Sequence, residues 1–558
     1  MSLERDLLER DLIGYVIGGS LKEGITVRLT VPATMVREGG FVVIESLGVR
    51  YYGLSVNLSL RSADPRFSLE RAELRFKPAY AAVLNEKALY TEMEVMPVLM
   101  QEAGGDIDDP DYQPQDIENP GIMPIKTVPA HHAPVYLASR FDVAAVFSPR
   151  SAGGKSDASF MIGTTREQGH PVHINLKKLI ERSSGIFGAT GTGKSYLTRL
   201  ILAGLLKSGE ASVLVFDMHN EYSYGDRSPD TGKEVPGLKD KFGPKVMVAG
   251  LGAGAKIRSR RVDIELVLKS SDLYPSDIEM LTAELNLRDT TGTTLNQLFQ
   301  AFGTGWFEAF RKLGSGGEDE LAQWARDNKL HEGAVSALYT KLGKVFGKPY
   351  IRPNVAGDPV GNIINVLSAG KSVVLSFGGY ESDLDYLLVT NVLTRLIRAE
   401  WERRTNEGYH DPLKNPYPLV IALEEAHKLL NREMASQTAF AAIAREMRKY
   451  SVTLLVIDQR PSQIYDEVMS QLGTRISGWL GDDGDIAAVL SGLSGRDTLR
   501  GMLSRLQPKE EVLLVGYGVP MPLPVRSRRY DEAFWRELFG TESGKPEASA
   551  LAAKKFFG

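Results

Sequence analysis

The residues of this chain with the clearest chemical spacing are Gly188, Gly193, Lys194 and Ser195, in the run Gly-Ala-Thr-Gly-Thr-Gly-Lys-Ser. Gly188, Gly191 and Gly193 let the main chain wrap around a polyphosphate with its N–H groups turned inward. Ala189, Thr190 and Thr192 complete the loop, and a helix starting near Gly193 adds the positive end of its dipole. Lys194 can then reach the β- and γ-phosphates of a nucleotide, Ser195 can ligate Mg²⁺, and Tyr196 adjoins them on the helix. The spacing is that of a Walker A loop, and an apolar strand before it with a helix after it supplies the context that loop requires. A second Gly-Lys-Ser at 154–156 has Pro149 where the first glycine belongs, so it is a decoy.

A second site element follows about 230 residues later, where the strand Tyr417–Leu423 delivers Glu424, Glu425, Ala426 and His427. Two acidic residues at a strand's end form the Walker B arrangement, the first carboxylate on the metal side and the second polarising the attacking water. A third apolar run, Ser212–Phe216, ends in Asp217-Met218-His219-Asn220-Glu221-Tyr222. Continuous apolar runs of this kind mark parallel strands buried on both faces, and open sheets of such strands bind ligands at their carboxyl edge. The strand Val452–Ile457 brings Asp458 and Gln459 to the same edge, with Gln459 where a γ-phosphate sensor belongs. Arg445 and Arg448 lie on a basic helix before that strand; from charge alone this reads as a solvated face.

These elements must be held by a long chain. Its 558 residues, 43% of them hydrophobic, imply two to four domains. There is no cysteine, which excludes disulfides, thiol nucleophiles and thiolate metal sites. The net charge of −4 shows no global basicity, so contact with nucleic acid must come from local patches or from a ring that gathers charge. The amino terminus is charged, and no apolar stretch approaches the roughly 18 residues of a membrane span. The expected location is the cytoplasm, with no membrane contact.

Residues 1–135 read as a small β-barrel of short strands at Leu12–Ile17, Thr26–Val31, Phe41–Glu45, Arg50–Leu58, Ala72–Phe76 and Ala88–Val95. An acidic loop at 105–111 reads as solvated surface. Residues 136–261 form the first part of the core and 262–350 a helical insertion. The second part of the core is 351–530, with a carboxyl-terminal tail at 531–558. Ser382 with Asp385 signals the start of a long helix running to about Arg404.

Taken in order, the barrel, Gly188–Ser195, Asp217-x-His219-x-Glu221-Tyr222, Leu423-Glu424-Glu425-Ala426-His427 and Ala444-Arg445-Glu446-x-Arg448-Lys449 leading to Gln459-Arg460-Pro461 resemble the HerA family. These are hexameric DNA-translocating ATPases related to the FtsK pumps. The resemblance covers nearly the whole chain and implies an α/β fold: a RecA-like P-loop ATPase core with an N-terminal barrel of the HAS type and a helical insertion. It implies ATP and Mg²⁺ as cofactors, Glu424 with Ser195 on the metal side and Glu425 as the catalytic carboxylate. Arg445 or Arg448 becomes a finger reaching a neighbouring subunit's ATP, and Asp217 and Glu221 lie near the site. Two departures stand out: Asp458 where Ser or Thr is usual, and His219-Asn220-Glu221 in place of His-Gly-Glu.

The implied activity is that of a homohexameric translocase on double-stranded DNA, working with a NurA-like nuclease in end processing. The alternatives are an ATP-dependent ring that activates an anti-phage defence effector and a peptide- or protein-exporting ATPase. Retained Lys194, Glu425 and a candidate finger favour hydrolysis over mere binding. For DNA contact, the expected patch is Lys256-Ile257-Arg258-Ser259-Arg260-Arg261 with Arg227, or else the same residues face solvent on an outer wall.

Overall fold

The computed structural model describes residues 10–63, 77–78, 89–102, 121–148, 158–227, 232, 234–288, 291–411, 414–434 and 439–540. The expected strand Ala72–Phe76, the acidic loop at 105–111 and the decoy at 154–156 lie outside them. The chain packs as two compact units. The first comprises residues 1–176, 188–193 and 474–528, and the second residues 177–187, 194–473 and 529–558.

In the first unit, strands Leu12–Ser20, Gly24–Leu29, Phe41–Ser46, Val49–Ser62, Leu89–Glu102 and Pro134–Leu137 close into an antiparallel barrel. Closure comes from Gly24–Leu29, which pairs with both Leu12–Ser20 and Leu89–Glu102. Alternation sets the inside: Ile25, Val27, Val42, Ile44, Met93, Val95 and Val135 fill one core, while their strand neighbours face outward. The unit also holds a five-stranded antiparallel array ordered Thr474–Ser477, Glu511–Gly516, Leu523–Ser527, Ser159–Thr165, Pro171–Asn175.

The second unit is built on seven parallel strands, ordered Ile264–Leu266, Val246–Leu251, Ser372–Ser376, Ser212–Asp217, Leu419–Glu424, Val452–Asp458 and Ser184–Phe187. Every residue of Ser212–Asp217, Leu419–Glu424 and Val452–Asp458 is buried, as uninterrupted apolar runs require when helices cover both faces of a sheet. The helix Lys194–Ser208 follows the glycine loop, and Asp383–Gly408 is capped by Ser382, whose hydroxyl accepts from the Asp385 N–H. Ile264–Leu266 still pairs in the sheet, so the helical stretch starts at Pro275 and ends at Phe346. Its core includes Trp306, Phe307 and Phe310 on Trp306–Ser315, a helix the sequence pattern did not mark. A last helix, Glu532–Phe539, buries Trp535 edge-on against Phe242. Among the described residues no helix is long and apolar enough to cross a membrane.

Candidate active site

The strand order makes neighbours of the four strands that carry polar residues at their carboxyl ends. Phe187 lies opposite Asp458, Glu424 opposite Ile457, and Asp217 opposite Ser376. One rim of the second unit therefore collects Lys194, Asp217, Glu221, Tyr222, Glu424, Glu425, His427, Asp458 and Gln459, although they are widely separated in the chain.

The glycine loop 188–193 is held within the first unit. Ala189 N–H donates to the Trp479 carbonyl, and Lys509 N–H donates to that of Thr192. Thr192 closes the turn on itself, its N–H and its hydroxyl both donating to the Ala189 carbonyl. Gly191 and Gly193 adopt φ +77° and +90°, which a side chain would strain. At Gly191 a Cβ would meet no atom within 4 Å, so the requirement there is one of backbone conformation alone. At Gly188 it is one of space as well, since a Cβ would stand 2.7 Å from Thr192 Oγ1. All three expected glycines of the loop are thus needed as glycine.

Asp217 is fully buried and commits its oxygens to the turn that follows. Oδ1 accepts from the Glu221 N–H at 2.7 Å, and Oδ2 accepts from the Tyr222 N–H and the Ser376 hydroxyl at 3.1 Å each. It is a brace for the loop. Asn220 takes φ +57°, the left-handed conformation a glycine would supply. Its amide exchanges two hydrogen bonds with the Gly378 main chain, so the departure from His-Gly-Glu keeps the turn and adds a clamp.

The brace delivers Tyr222, whose hydroxyl donates to Glu424 Oε1 at 2.7 Å, while the Tyr386 hydroxyl donates to the Glu424 carbonyl, also at 2.7 Å. Glu424 Oε2 is buried with no partner among the described residues, and so is Glu221 Oε2. Burial, then Asp217 and Glu221, push the Glu424 carboxyl up to about 8, against the Tyr222 hydrogen bond and Lys194. Asp217 and Glu221 crowd Glu424 here, with Lys194 as the nearby cation. An orphaned, desolvated carboxylate oxygen in that setting fits a cation, and Glu424 and the half-buried Ser195 on the adjoining helix are the residues that could donate to one.

Glu425 takes φ +46°, an unusual conformation for a residue with a side chain. Its Oε1 accepts from Gln459 Nε2 at 2.8 Å and lies 3.8 Å from Lys194 Nζ; its Oε2 is 3.7 Å from His427 Nδ1. The rim thus gathers Lys194 and Gln459 around one oxygen of Glu425.

Other expected groups stand elsewhere. Arg448 lines a cleft of about 260 Å³ with Lys177, Glu181 and Glu210, beside Leu419 and Ser451 at the amino ends of the strands. A strand of six residues spans roughly 20 Å, so Arg448 is out of reach of its own chain's Glu425. The side chain of Arg445 lies outside the described residues, its main chain being in the helix Ala439–Glu446. In the basic hairpin, Lys256–Ile257 pairs with Arg260–Arg261 around a left-handed turn at Arg258 and Ser259. Arg258 is bound by Asp226 at 2.5 Å and by the carbonyl of Gly225, and Arg260 by Asp240 at 2.7 Å while lying over the Tyr224 ring. Two of the cluster's cations therefore serve the hairpin itself.

Sequence reasoning left Tyr386 and the His427–Asp458 pair without roles, and gave Tyr222 none of its own. A hydroxyl or carboxylate at the end of a buried strand was the available signal.

Residues 160–397 match the family described as Helicase HerA, central domain. The chain is 25% identical over 527 residues to the DNA double-strand break repair helicase HerA of Sulfolobus acidocaldarius, covering 93% of each. It is 24% identical over 557 residues to the protein of the same name from Saccharolobus solfataricus, covering 98% of each. Among solved structures, VirB4 of Thermoanaerobacter pseudethanolicus matches with a TM-score of 0.43 and 15% identity, over 68% of this chain and 98% of that one. With its motifs in order and its parallel P-loop sheet, the chain is a P-loop ATPase that is similar to the HerA helicases over nearly its whole length and matches their central domain over residues 160–397.

Proposed function

We propose that this protein is an ATP-driven translocase that acts on double-stranded DNA as a ring, most simply a homohexamer, together with a partner nuclease in the processing of DNA ends. The observation that carries the reading is the set of contacts at the rim. Lys194 and Gln459 meet Glu425 at the ends of neighbouring strands, and beside them Glu424 keeps a buried oxygen with no partner among the described residues.

In this reading the main chain of residues 188–193 and Lys194 bind the polyphosphate of ATP, with Ala189, Thr190, Thr192 and Tyr196 shaping the loop and its exit. Gly188, Gly191 and Gly193 allow the wrap. Ser195 and Glu424 hold Mg²⁺, which when bound offsets negative charge on the phosphates. Glu425 orients the attacking water and Gln459 reads the γ-phosphate. Asp217 acts at one remove, holding the turn on which Glu221 and Tyr222 are carried. Arg448, at the far end of the strands, suits a finger that serves a neighbouring subunit, and Arg445 is the other candidate.

The names of the relatives support DNA repair and helicase action. The test is ATP turnover with and without blunt duplex DNA, alongside mass measurement of the assembled particle. Turnover stimulated by duplex of any sequence, from a particle of about six chains, is the expected result. DNA-independent turnover from a monomer would overturn the translocase reading while leaving the ATPase intact.

A further inference from the structure

The hydrolysis reading leaves the His427–Asp458 pair of the rim without a task. His427 donates its backbone N–H to Asp458 Oδ2 at 2.7 Å, and its Nδ1 lies 2.9 Å from that oxygen and 3.2 Å from Oδ1. Asp458 is fully buried at the end of its strand, and Oδ1 accepts the Arg460 N–H at 2.7 Å. Two main-chain donors from separate segments thus fix this carboxylate independently of the imidazole, and the carboxylate in turn fixes the ring. The same Nδ1 lies 3.7 Å from Glu425 Oε2, beyond hydrogen-bond distance, so the ring when protonated bears on that oxygen as a charge.

The two oxygens of Glu425 are therefore held differently. Oε1 is bound by Gln459 and lies near Lys194, two groups for which the phosphates of ATP compete. Oε2 faces a group anchored to the sheet. We propose that the His427–Asp458 pair is a positioning device for Glu425, holding Oε2 as Lys194 and Gln459 turn to the nucleotide, so that the carboxylate keeps its aim at water. This rests on reading Glu425 as the water-orienting residue.

The charges around the ring favour its protonated form. The Asp458 hydrogen bond raises the His427 pKa above the ordinary imidazole value against the opposing effect of burial, and Glu425 adds to the rise. Lys428 opposes it, but is itself paired with Asp383 at 2.6 Å; Arg460 contributes its backbone N–H, and Lys194 stands across Glu425. Burial pushes Asp458 up, yet the bond from His427 brings it below the usual carboxylate range.

The experiment compares full-length wild type, Asp458→Asn, His427→Gln, His427→Lys and Glu425→Gln in ATP turnover from about pH 6 to about pH 8.5. Affinity for a fluorescent ATP analogue is measured in parallel. Asp458→Asn and His427→Gln should each lower kcat about tenfold, with KM and analogue affinity nearly unchanged, because binding survives and aim does not. Wild-type kcat should fall as pH rises through the His427 pKa, a limb missing in His427→Gln and moved to lower pH in Asp458→Asn, which keeps the imidazole but loses the carboxylate that raises it. His427→Lys, charged across the whole range, should recover part of kcat with a flat profile. If Asp458→Asn does not fold, His427→Gln, which keeps a donor toward Asp458, makes the same comparison. A wild type without turnover, or an active Glu425→Gln, overturns the site reading itself. Loss of turnover in Glu425→Gln alone, with wild-type kcat and pH profile in the other variants, overturns only the positioning role, and so does a change confined to KM.

Discussion

At the carboxyl edge of the parallel sheet, Glu424 keeps a buried oxygen without a donor among the described residues and Glu425 holds a left-handed main chain. In the hairpin of Lys256–Arg261, Arg258 and Arg260 are neutralised by Asp226 and Asp240, and Arg258 also caps main-chain carbonyls. Both regions look equally polar in the sequence. The first maintains an unsatisfied carboxylate and a strained backbone at an energetic cost, which persists where surrounding structure over-determines it and a ligand relieves it. The second has internal partners for its charge. A polar cluster is best judged by what its neighbours leave undone.

The largest effect that can break this contrast is on turnover. Glu425→Gln should lower kcat by about 10²–10⁴-fold while ATP binding persists, since the amide cannot accept a proton from water. Lys194→Ala should instead lose ATP binding, because the lysine contacts the phosphates of the ground state. Equal loss of binding in both variants, measured with a labelled nucleotide, would erase the distinction between cradle and catalytic carboxylate.

Next comes the support beneath the rim. Tyr222→Phe removes the hydroxyl that donates to Glu424 Oε1 and leaves both carboxylate oxygens desolvated. A cost of about 1–3 kcal/mol is expected in a denaturant titration without nucleotide. If Mg²⁺ occupies Glu424, the variant should also need more Mg²⁺ to reach half-maximal protection against melting in the presence of ADP. Unchanged stability and Mg²⁺ demand would make Tyr222 packing alone.

Such supports mark where sequence reading stops. The cradle and the acidic pair were legible because strand ends place them: Asp217, Glu424 and Asp458 terminate uninterrupted apolar runs, and adjacency in the sheet does the rest. Tyr222 and Glu424 are 202 residues apart, and Tyr386 reaches Glu424 from the first turn of a helix; no local pattern announces either. Pro134–Leu137, which helps close the barrel, is too short to show a period. The capped start of Asp383–Gly408 was legible because Ser382 and Asp385 make their bonds within a single turn. Neutralisation of Arg258 by Asp226 was hidden, since a charge count weighs residues without pairing them.

A smaller effect separates stability from chemistry at the same rim. The folded-state pKa of His427 is raised, so its contribution to stability is complete below the unfolded value of about 6.5 and is lost as pH rises through the folded one. Asp458 has the opposite sign: its lowered pKa contributes above about 3.9 and is lost as pH falls through the folded value. The gap in denaturant midpoint between wild type and Asp458→Asn should therefore be widest near about pH 5–6.5 and narrow on the alkaline side. A gap that widens with rising pH would mean that His427 is neutral in the fold.

The smallest expected effects lie in the hairpin, and they bear most directly on the contrast. Lys256, Arg261 and Arg227 are exposed, and Lys256 pairs across the strands with Arg261, so these carry the charge that could face DNA. Arg258 and Arg260 are occupied, in pairs at partly exposed positions worth about 0–1 kcal/mol each. Arg261→Ala and Lys256→Ala should leave melting unchanged and reduce the salt slope of duplex binding by about 1 for each phosphate no longer neutralised. Arg258→Ala should do the reverse, loosening the hairpin and leaving the slope near wild type, because its guanidinium is already engaged by Asp226 and the Gly225 carbonyl. If instead Arg258→Ala flattens the slope while Arg261→Ala does not, DNA draws the paired arginine out of its internal bonds. The hairpin would then belong with the rim, as a region whose charge waits for a ligand.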